Sequence, residues 1–317
     1  MTQNNNAYAL VFGISIYDIF GFSYAGYRPY DSNPGKVKVS CGGVCRNIAE
    51  NMSRVGVNTK FISILGDDSK GEEILRRAKE VGLDMSDSLV VKGGSTPTYL
   101  AILDEHGEMV SAVVDTKLAN EFSHEELDKR AEIIENAEYM ILGADNPPFL
   151  EYVLEKYQGK TKFVLDPVSG AKAKRVEHLL HYFHTVKPNR HEAEILCGFE
   201  IKTHEDVKRA GAHFREMGIQ NIFISLDVEG VYYNNGEEEG IIKAACTDVL
   251  NVTGAGDAFV AGLGAGYMTN KSIRDIVKYA ISMSNITISH EETIHPEMTA
   301  QKVEEYLNSA TWEETIL

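Results

Sequence analysis

The chain reads Asn251-Val252-Thr253-Gly254-Ala255-Gly256-Asp257 and continues into the small, apolar run Ala258–Leu263. This order predicts a loop that opens directly into a helix. Small residues leave the backbone N–H groups of Gly254, Ala255 and Gly256 uncovered, so the first turn offers free donors and a positive dipole end to an anion. A phosphate fits such a place. A tight turn that only packs a helix against a sheet is the alternative.

Asp257 lies in the same predicted turn. A carboxylate there could accept the proton of an alcohol as the alcohol attacks phosphorus. An anion site and a base within one motif indicate a kinase of small molecules.

Composition limits the classes of function. The 317 residues are 43% hydrophobic and 25% charged, which is ordinary for a globular protein with one large α/β domain or two smaller ones. The net charge of −16 argues against general binding to nucleic acid or anionic membranes. No apolar run approaches the roughly 20 residues that span a bilayer, and residues 1–6 lack the features of a signal peptide. We therefore expect a cytoplasmic protein without nucleic-acid or membrane partners.

The cysteines are few and show no C-x-x-C spacing. No second Cys/His pair stands near the first two to complete a zinc site. We expect reduced thiols at all four positions, which are Cys41, Cys45, Cys197 and Cys246.

Apolar runs alternate with segments of helical period. Ile48, Met52 and Val55 recur at i, i+4 and i+7, which predicts an amphipathic helix from Val44 that closes at Gly56, and a second helix is predicted over 70–81. The βαβα order predicts an α/β fold with a mostly parallel central sheet and helices on both faces, in one domain over 1–317. The predicted buried strands are 8–13, 60–66, 138–143, 162–166, 184–187, 221–226 and 230–233.

Two segments do not fit the central sheet. Residues 16–40 are aromatic, rich in Gly and punctuated by Pro, and residues 96–115 read as a hairpin. We expect them to form a small β lid at one edge. Strands of this kind expose an apolar face and unpaired edges, so a homodimer through the lid is a further expectation.

A second motif stands far upstream, Cys41-Gly42-Gly43-Val44-Cys45-Arg46-Asn47. Glycines let a ligand lie against the backbone, and an Asn amide can both donate to and accept from sugar hydroxyls. Taken alone, this stretch could be an ordinary helix start.

Together the two motifs closely resemble the two signatures of the ribokinase-like (PfkB) carbohydrate kinase family, and the resemblance extends over essentially the whole chain. A third element agrees: Lys187-Pro188-Asn189-Arg190-His191-Glu192 contains the N-x-x-E pattern that this family uses near its magnesium. The alternative is a helix start with Asn189 as cap and Glu192 at the third position, and both can hold for the same residues.

The resemblance implies ATP and Mg²⁺ as cofactors and a role for each matched residue. Asp257 would deprotonate the acceptor hydroxyl, and the amides of Gly254, Ala255 and Gly256 would stabilise the transferring phosphoryl group. The implied substrate-binding residues are Asp18, Gly42, Gly43, Asn47, Thr98 and Asp166. The implied nucleotide-binding residues are Asn189, Ser225, Gly230, Thr253, Gly254, Gly256 and Asn285, and Glu192 with Asn189 would serve the metal.

Within the family the chain looks most like members that phosphorylate the 5′-hydroxyl of pseudouridine. The resemblance is carried by residues 31–38, 42–47, 166–169, 187–194 and 251–253. Ribose, uridine or adenosine remain alternative substrates. A non-catalytic nucleoside-binding relative is disfavoured because Asp257 and the glycines are intact. A dinucleotide-binding dehydrogenase fails because Gly13-Ile14-Ser15 stands where its glycine motif would follow the first strand.

Three positions depart from the family pattern. Ile16 stands where many relatives have an Asn that contacts sugar, and Asp227 stands where relatives commonly have Gly near ATP. Asn251 replaces the usual Asp at the start of the glycine motif. A neutral amide should weaken a monovalent-cation site, so the resemblance leaves a requirement for K⁺ in doubt.

Overall fold

The computed structural model describes residues 7–245 and 249–317, so the predicted thiol of Cys246 lies outside the described residues. The strands are β1 (Ala9–Phe12), β2 (Ile16–Ser23), β3 (Gly35–Gly42), β4 (Thr59–Ile62), β5 (Ile64–Gly66), β6 (Leu89–Val91), β7 (Thr98–Leu103), β8 (Met109–Asp115), β9 (Tyr139–Gly143), β10 (Lys162–Asp166), β11 (Thr185–Val186), β12 (Asn221–Ser225), β13 (Val231–Asn234), β14 (Glu239–Ala244) and β15 (Trp312–Ile316).

Helices connect most of these strands. They are α1 (Val44–Arg54), α2 (Ser69–Glu80), α3 (His124–Asp128), α4 (Ala131–Glu135), α5 (Pro147–Tyr157), α6 (Gly170–Val176), α7 (Arg190–Cys197), α8 (His204–Glu216), α9 (Ala255–Met268), α10 (Ile273–Ile288) and α11 (Ala300–Ser309).

Nine strands of the described residues form the large sheet, in the order β15-β14-β13-β12-β11-β10-β9-β1-β4. The six from β12 to β4 are parallel, and β13, β14 and β15 add an antiparallel edge. The parallel strands are buried on both faces, which is why they appear in the sequence as continuous apolar runs rather than alternating ones. The predicted α/β class with a mostly parallel sheet is confirmed.

Successive residues of each parallel strand enter opposite cores. Val11 and Ile141 pack with α1, α9 and α10 on one face, whereas Leu10 and Met140 pack with α5 to α8 on the other. Full burial stabilises an aliphatic side chain of this size by about 1.5–3 kcal/mol. The two cores fix the strand ends, and with them the loops at the carboxyl edge where ligands of open α/β sheets bind.

The predicted lid segments form a separate four-stranded sheet in the order β3-β2-β7-β8, which we call the small sheet. β2 pairs antiparallel with β3 and parallel with β7, and β7 and β8 form the predicted hairpin.

One strand prediction is wrong. The run 60–66 is not a single strand: Thr59–Ile62 joins the large sheet beside β1, whereas Ile64–Gly66 pairs with β6 in a two-stranded sheet. The break is at Ser63, whose amide donates to the hydroxyl of Ser88, so the chain leaves the ladder there. A continuous apolar pattern does not reveal such a change of partner.

Two further expectations concern the whole chain. None of the helices in the described ranges is long and apolar enough to cross a bilayer. The three described cysteines, Cys41, Cys45 and Cys197, are free thiols.

Candidate active site

The two glycine motifs meet in space. The side chain of Asn47, on the first turns of α1, donates through Nδ2 to Oδ2 of Asp257 on the first turn of α9, at 2.8 Å. The carboxyl ends of β10 and β11 supply Asp166 and Lys187, and the charges of both act on the Asp257 carboxyl. The site therefore lies at the carboxyl edge of the large sheet.

The start of α9 requires glycine. Gly254 caps the helix with φ 84°, and a Cβ there would lie 2.2 Å from the carbonyl oxygen of Thr293. The amides of Gly254, Gly256 and Asp257 have no hydrogen-bond partner among the described residues. The Ala255 amide differs from the prediction because it donates to the carbonyl of Val252 at 3.3 Å. Three donors thus remain for an anion, and Asp257 supplies the third in place of Ala255.

Asp257 has the acid–base behaviour of a general base near neutral pH. Burial, and after it the negative charge of Asp166, raise the pKa of its carboxyl to about 7, against the lowering effects of the Asn47 hydrogen bond and the Lys187 charge. A base whose pKa lies near the working pH combines a sufficient deprotonated fraction with a useful driving force for proton transfer.

Asn47 contacts the predicted base. Its Nδ2 donates to Asp257, and its Oδ1 lies 3.4 Å from a guanidinium nitrogen of Arg46. Arg46 is itself held by Glu50 and by the carbonyl of Cys41. The sequence predicts that Asn47 binds ribose hydroxyls. The structure adds a second role, because this hydrogen bond orients the Asp257 carboxylate, and the spacing of the motifs could not reveal that contact.

Asp18 lies over the glycine pair that precedes α1. A Cβ on Gly42 would lie 2.1 Å from Oδ2 of Asp18, and one on Gly43, where φ is 103°, would lie 2.3 Å from the carbonyl oxygen of Ile14. Burial raises the pKa of Asp18 to about 6, against the lowering effect of Arg46. The predicted substrate-binding group Asp18, Gly42 and Gly43 is therefore assembled around one close backbone approach.

Thr98 is not part of that group. Its hydroxyl accepts from the Lys70 ammonium at 2.8 Å and donates to the carbonyl of Thr96. In the register of the small sheet Thr98 pairs with Tyr17, whereas Tyr99 pairs with Asp18. Because paired residues share a face and neighbours alternate, Tyr99 and not Thr98 projects on the Asp18 face.

Asp166 is buried at the end of β10 and is held by a strained turn. The Val168 amide donates to Oδ1 of Asp166 at 2.7 Å, and the Ser169 amide donates to the carbonyl of Pro167. Val168 has φ 68°, an unfavourable conformation for a β-branched residue and the centre of a tight three-residue turn. A strained backbone persists only where the surrounding structure holds it, and here the hydrogen bond to the Asp166 carboxylate holds Val168.

Asn189 and Glu192 form a complete capping box at the start of α7. Asn189 Oδ1 accepts from the Glu192 amide at 2.8 Å, and Glu192 Oε2 accepts from the Asn189 amide at 2.9 Å. Burial raises the pKa of the Glu192 carboxyl, and the charge of Lys187 opposes the shift. Ser225 is adjacent, because Asn189 and Ser225 form a parallel bridge.

The remaining predicted nucleotide-binding residues lie on three elements: Gly230 between β12 and β13, Thr253 before α9, and Asn285 on α10. Gly230 has φ 101°, and Asp227, where relatives commonly have Gly, is exposed with φ 54°. The left-handed backbone explains why glycine suits that position. Thr253 is exposed on the loop before α9, whereas Asn285 donates to the hydroxyl of Tyr306 at 2.8 Å.

Lys187 lies in the site although none of the sequence motifs predicts a role for it. Its side chain is only 6% exposed, and its Nζ would lie 3.2 Å from a Cβ on Gly256. Its place in the sequence could have indicated a role, because a charged residue directly after a buried strand lies at the carboxyl edge of the sheet, where ligands bind.

No group of three or more His, Cys, Asp or Glu side chains that could hold a metal ion is found within residues 7–245 and 249–317. A purely protein-built metal cage is therefore not seen in that part of the chain.

Comparison with known proteins agrees with this geometry. The pfkB family carbohydrate kinase model matches residues 6–300. Pseudouridine kinase of Escherichia coli (strain K12) is 34% identical over 298 residues, which cover 93% of this chain and 95% of that protein. A Clostridium perfringens protein provisionally assigned as a sugar kinase has a crystal structure that matches with a TM-score of 0.95 at 58% identity, over 99% of both chains.

A ribokinase from Arabidopsis thaliana, complexed with ribose and ATP, matches with a TM-score of 0.80 at 20% identity, over 95% of this chain and 98% of that one, and so shares the fold. The chain belongs to the pfkB family of carbohydrate kinases. It is accordingly a sugar or nucleoside kinase, a phosphotransferase that acts on a hydroxyl group and is expected to use ATP.

Proposed function

We propose that the protein transfers the γ-phosphoryl group of ATP to the 5′-hydroxyl of pseudouridine. The observation that carries the proposal is Asp257: a carboxyl with a pKa of about 7, oriented by Asn47, on a helix turn where the amides of Gly254, Gly256 and Asp257 are free. Asp257 takes the proton of the attacking hydroxyl, and the amides of Gly254 and Gly256 bind the phosphoryl oxygens.

The sugar end of the substrate is proposed to lie against Gly42 and Gly43, with Asp18 accepting from ribose hydroxyls. The close approach of Asp18 to Gly42 supports this arrangement. The base would lie beneath the small sheet, on the face that carries Asp18, Phe20 and Tyr99, where the two aromatic rings are 6.0 Å apart. Stacking on these rings would hold a flat base and exclude water.

The nucleotide is proposed to lie along Ser225, Gly230 and Thr253. The residues present fit a magnesium ion, because Glu192 and Asp166 are buried carboxylates near enough for their charges to interact. Mg²⁺ takes few protein carboxylates and keeps several waters, and it would neutralise phosphate charge there. Asn189 would act mainly by fixing Glu192 through the capping box.

Identity to the Escherichia coli pseudouridine kinase supports the choice of nucleoside. The test measures ADP release with Mg-ATP against pseudouridine, uridine, adenosine and ribose in parallel, with Asp257→Asn as the background. We expect kcat/KM for pseudouridine to exceed the others by at least about tenfold, since one buried acceptor that reads the additional ring N–H suffices for that. A higher kcat/KM for ribose or another nucleoside would overturn the substrate.

We further propose that activity needs no monovalent cation. Asn251 Oδ1 accepts from the Thr253 amide, so its Nδ2 faces the neighbouring loop and donates to the carbonyl of Glu291 at 2.9 Å. This hydrogen bond joins the loop before α9 to the loop after α10. With Asp at position 251, a carboxylate oxygen would face the carbonyl oxygen of Glu291. Both atoms are acceptors, so a cation would be needed to bridge them.

Asn251→Asp tests this directly. The wild-type protein should turn over equally in potassium and tetramethylammonium chloride, whereas Asn251→Asp should require potassium. Asn235→Asp, a matched change in an exposed turn, should behave like wild type. Strong activation of the wild-type protein by potassium would refute the proposal.

A homodimer through the small sheet remains our proposal for the assembly. The outer face of that sheet carries aliphatic side chains, and Val37, Val39 and Val113 are 68%, 46% and 66% exposed. A second copy would cover this face. Light scattering should give a dimer, and Val39→Lys with Val113→Lys should give a monomer, whereas Val90→Lys should not. A wild-type monomer at working concentration would contradict the proposed dimer.

The cytoplasmic location stays a prediction.

A further inference from the structure

Lys187 is placed to act on the anion that binds at the start of α9. It follows β11, and its amide donates to the carbonyl of Leu165 at 3.1 Å, which fixes the backbone. Its side chain runs under the first turn of α9: Nζ would lie 3.2 Å from a Cβ on Gly256 and is 6.0 Å from the ring centroid of Phe259.

The ammonium group has no hydrogen bond or ion pair with any residue that the structure describes, although the residue is only 6% exposed. The Nζ atom itself is not fully buried, so the ammonium opens onto accessible space beside the helix. The carboxylates of Asp257 and Glu192 feel its charge, but neither lies within ion-pair distance. The buried stem keeps much of the surrounding water away from this unpaired charge, and such a group gains stability when an anion reaches it. Three amides at the start of α9 are free, and Gly256, which supplies one of them, lies beside this ammonium.

We propose that Lys187 binds the terminal phosphoryl group of the nucleoside triphosphate. This inference rests on the proposed kinase function and adds the residue that recognises the group to be transferred. The ammonium is a compact charge with three donors, and it supplements the amides of Gly254 and Gly256 where negative charge is greatest. Because the diphosphate product lacks that group, Lys187 distinguishes the triphosphate from the diphosphate.

The test compares two nucleotides by calorimetry, in the presence of Mg²⁺ and without any nucleoside. The probes are ADP and the non-hydrolysable triphosphate AMP-PNP. Lys187→Met should weaken AMP-PNP binding by about 10- to 100-fold, the worth of a charged hydrogen bond, and leave ADP binding within about twofold. Lys187→Arg should retain most of the preference for AMP-PNP, since it keeps the charge.

Lys162→Met is the matched control. Lys162 opens the neighbouring strand β10 at the opposite edge of the sheet, where its Nζ contacts the hydroxyl of Tyr139. The Lys162→Met variant should bind AMP-PNP and ADP with the affinities of the wild-type protein. If Lys187 only compensates the nearby carboxylates, Lys187→Met will lower the melting temperature and weaken both nucleotides equally, or neither, and the proposal is overturned.

Should Lys187→Met fail to fold, the ratio of the two affinities in Lys187→Arg and Lys187→Gln decides the matter. The glutamine variant must lose the preference for AMP-PNP that the arginine variant keeps. Since no nucleoside is present, a wrong substrate in the proposed function would leave this result unchanged.

Discussion

Two helices of this molecule begin at glycine, and in the proposed function they bind different ends of the two substrates. Gly43 precedes α1 with φ 103°, and Gly254 precedes α9 with φ 84°. A Cβ at either position would lie 2.2–2.3 Å from a carbonyl oxygen of another segment, that of Ile14 or Thr293. Neither helix has a side-chain cap. The two backbones are therefore built alike.

The side chains from other elements make the difference. Asp18 of β2 lies over the glycines before α1, whereas Lys187 lies under Gly256 and Asp257 stands in the first turn of α9. A carboxylate suits hydroxyl donors, and an ammonium suits a phosphate. Glycines create the space at both helix N-termini, and in the proposed function the neighbours that are distant in sequence select the ligand.

The largest expected effect is at Asp257. Asp257→Asn keeps the shape and removes the base, so kcat should fall by about 10²- to 10⁴-fold. Nucleoside affinity, measured by calorimetry, should survive because the N-terminus of α1 is unchanged. Loss of binding together with turnover would mean that the two helix N-termini form one structural unit.

Alanine at the two cap glycines should separate the two ends. Each of Gly254→Ala and Gly43→Ala should destabilise the fold by about 1–3 kcal/mol, because a left-handed backbone and a carbonyl clash combine. Gly254→Ala should mainly weaken nucleotide binding, and Gly43→Ala should mainly weaken nucleoside binding.

Gly56→Ala is the control for strain alone, since Gly56 has φ 82° but nothing within 4 Å of a Cβ. Its ligand affinities should match the wild type. If Gly43→Ala and Gly254→Ala each weaken nucleoside and nucleotide binding equally, the two helix N-termini do not have separate roles.

A smaller effect is expected at Asn47, which joins the N-termini of α1 and α9. The wild-type rate should fall as pH drops through about 7, because protonated Asp257 cannot accept the substrate proton. Asn47→Ala removes a hydrogen bond that lowers the pKa of Asp257, so the acidic limb of the pH–rate profile should move upward by about one pH unit. Asn308→Ala, which removes a similar helix-surface amide, should leave the profile in place. If the acidic limb of the pH–rate profile does not move in Asn47→Ala, Asn47 does not influence the pKa of the catalytic base.

Much of the fold could be predicted because it depends on local pattern. The buried strands and the helix from Val44 follow from apolar runs and period, and the small sheet follows from composition. The run 60–66 failed because Ser63 transfers the chain to another partner, which depends on Ser88 rather than on local residues. Thr98 shows a related dependence on tertiary structure: the register of its strand decides which of two neighbouring residues shares a face with Asp18.

The site divides in the same way. Local sequence is enough to place glycine before α1 and α9, and to place Asp257 in a turn suited to an anion, since these properties belong to backbone conformations of a few adjacent residues. The Ala255 amide is engaged locally, by the carbonyl of Val252. Two other features depend on packing between distant segments: Asn47 orients Asp257, and Lys187 lies under the same turn. These contacts join strands and helices up to 210 residues apart, and burial at their meeting point sets the charge of the groups.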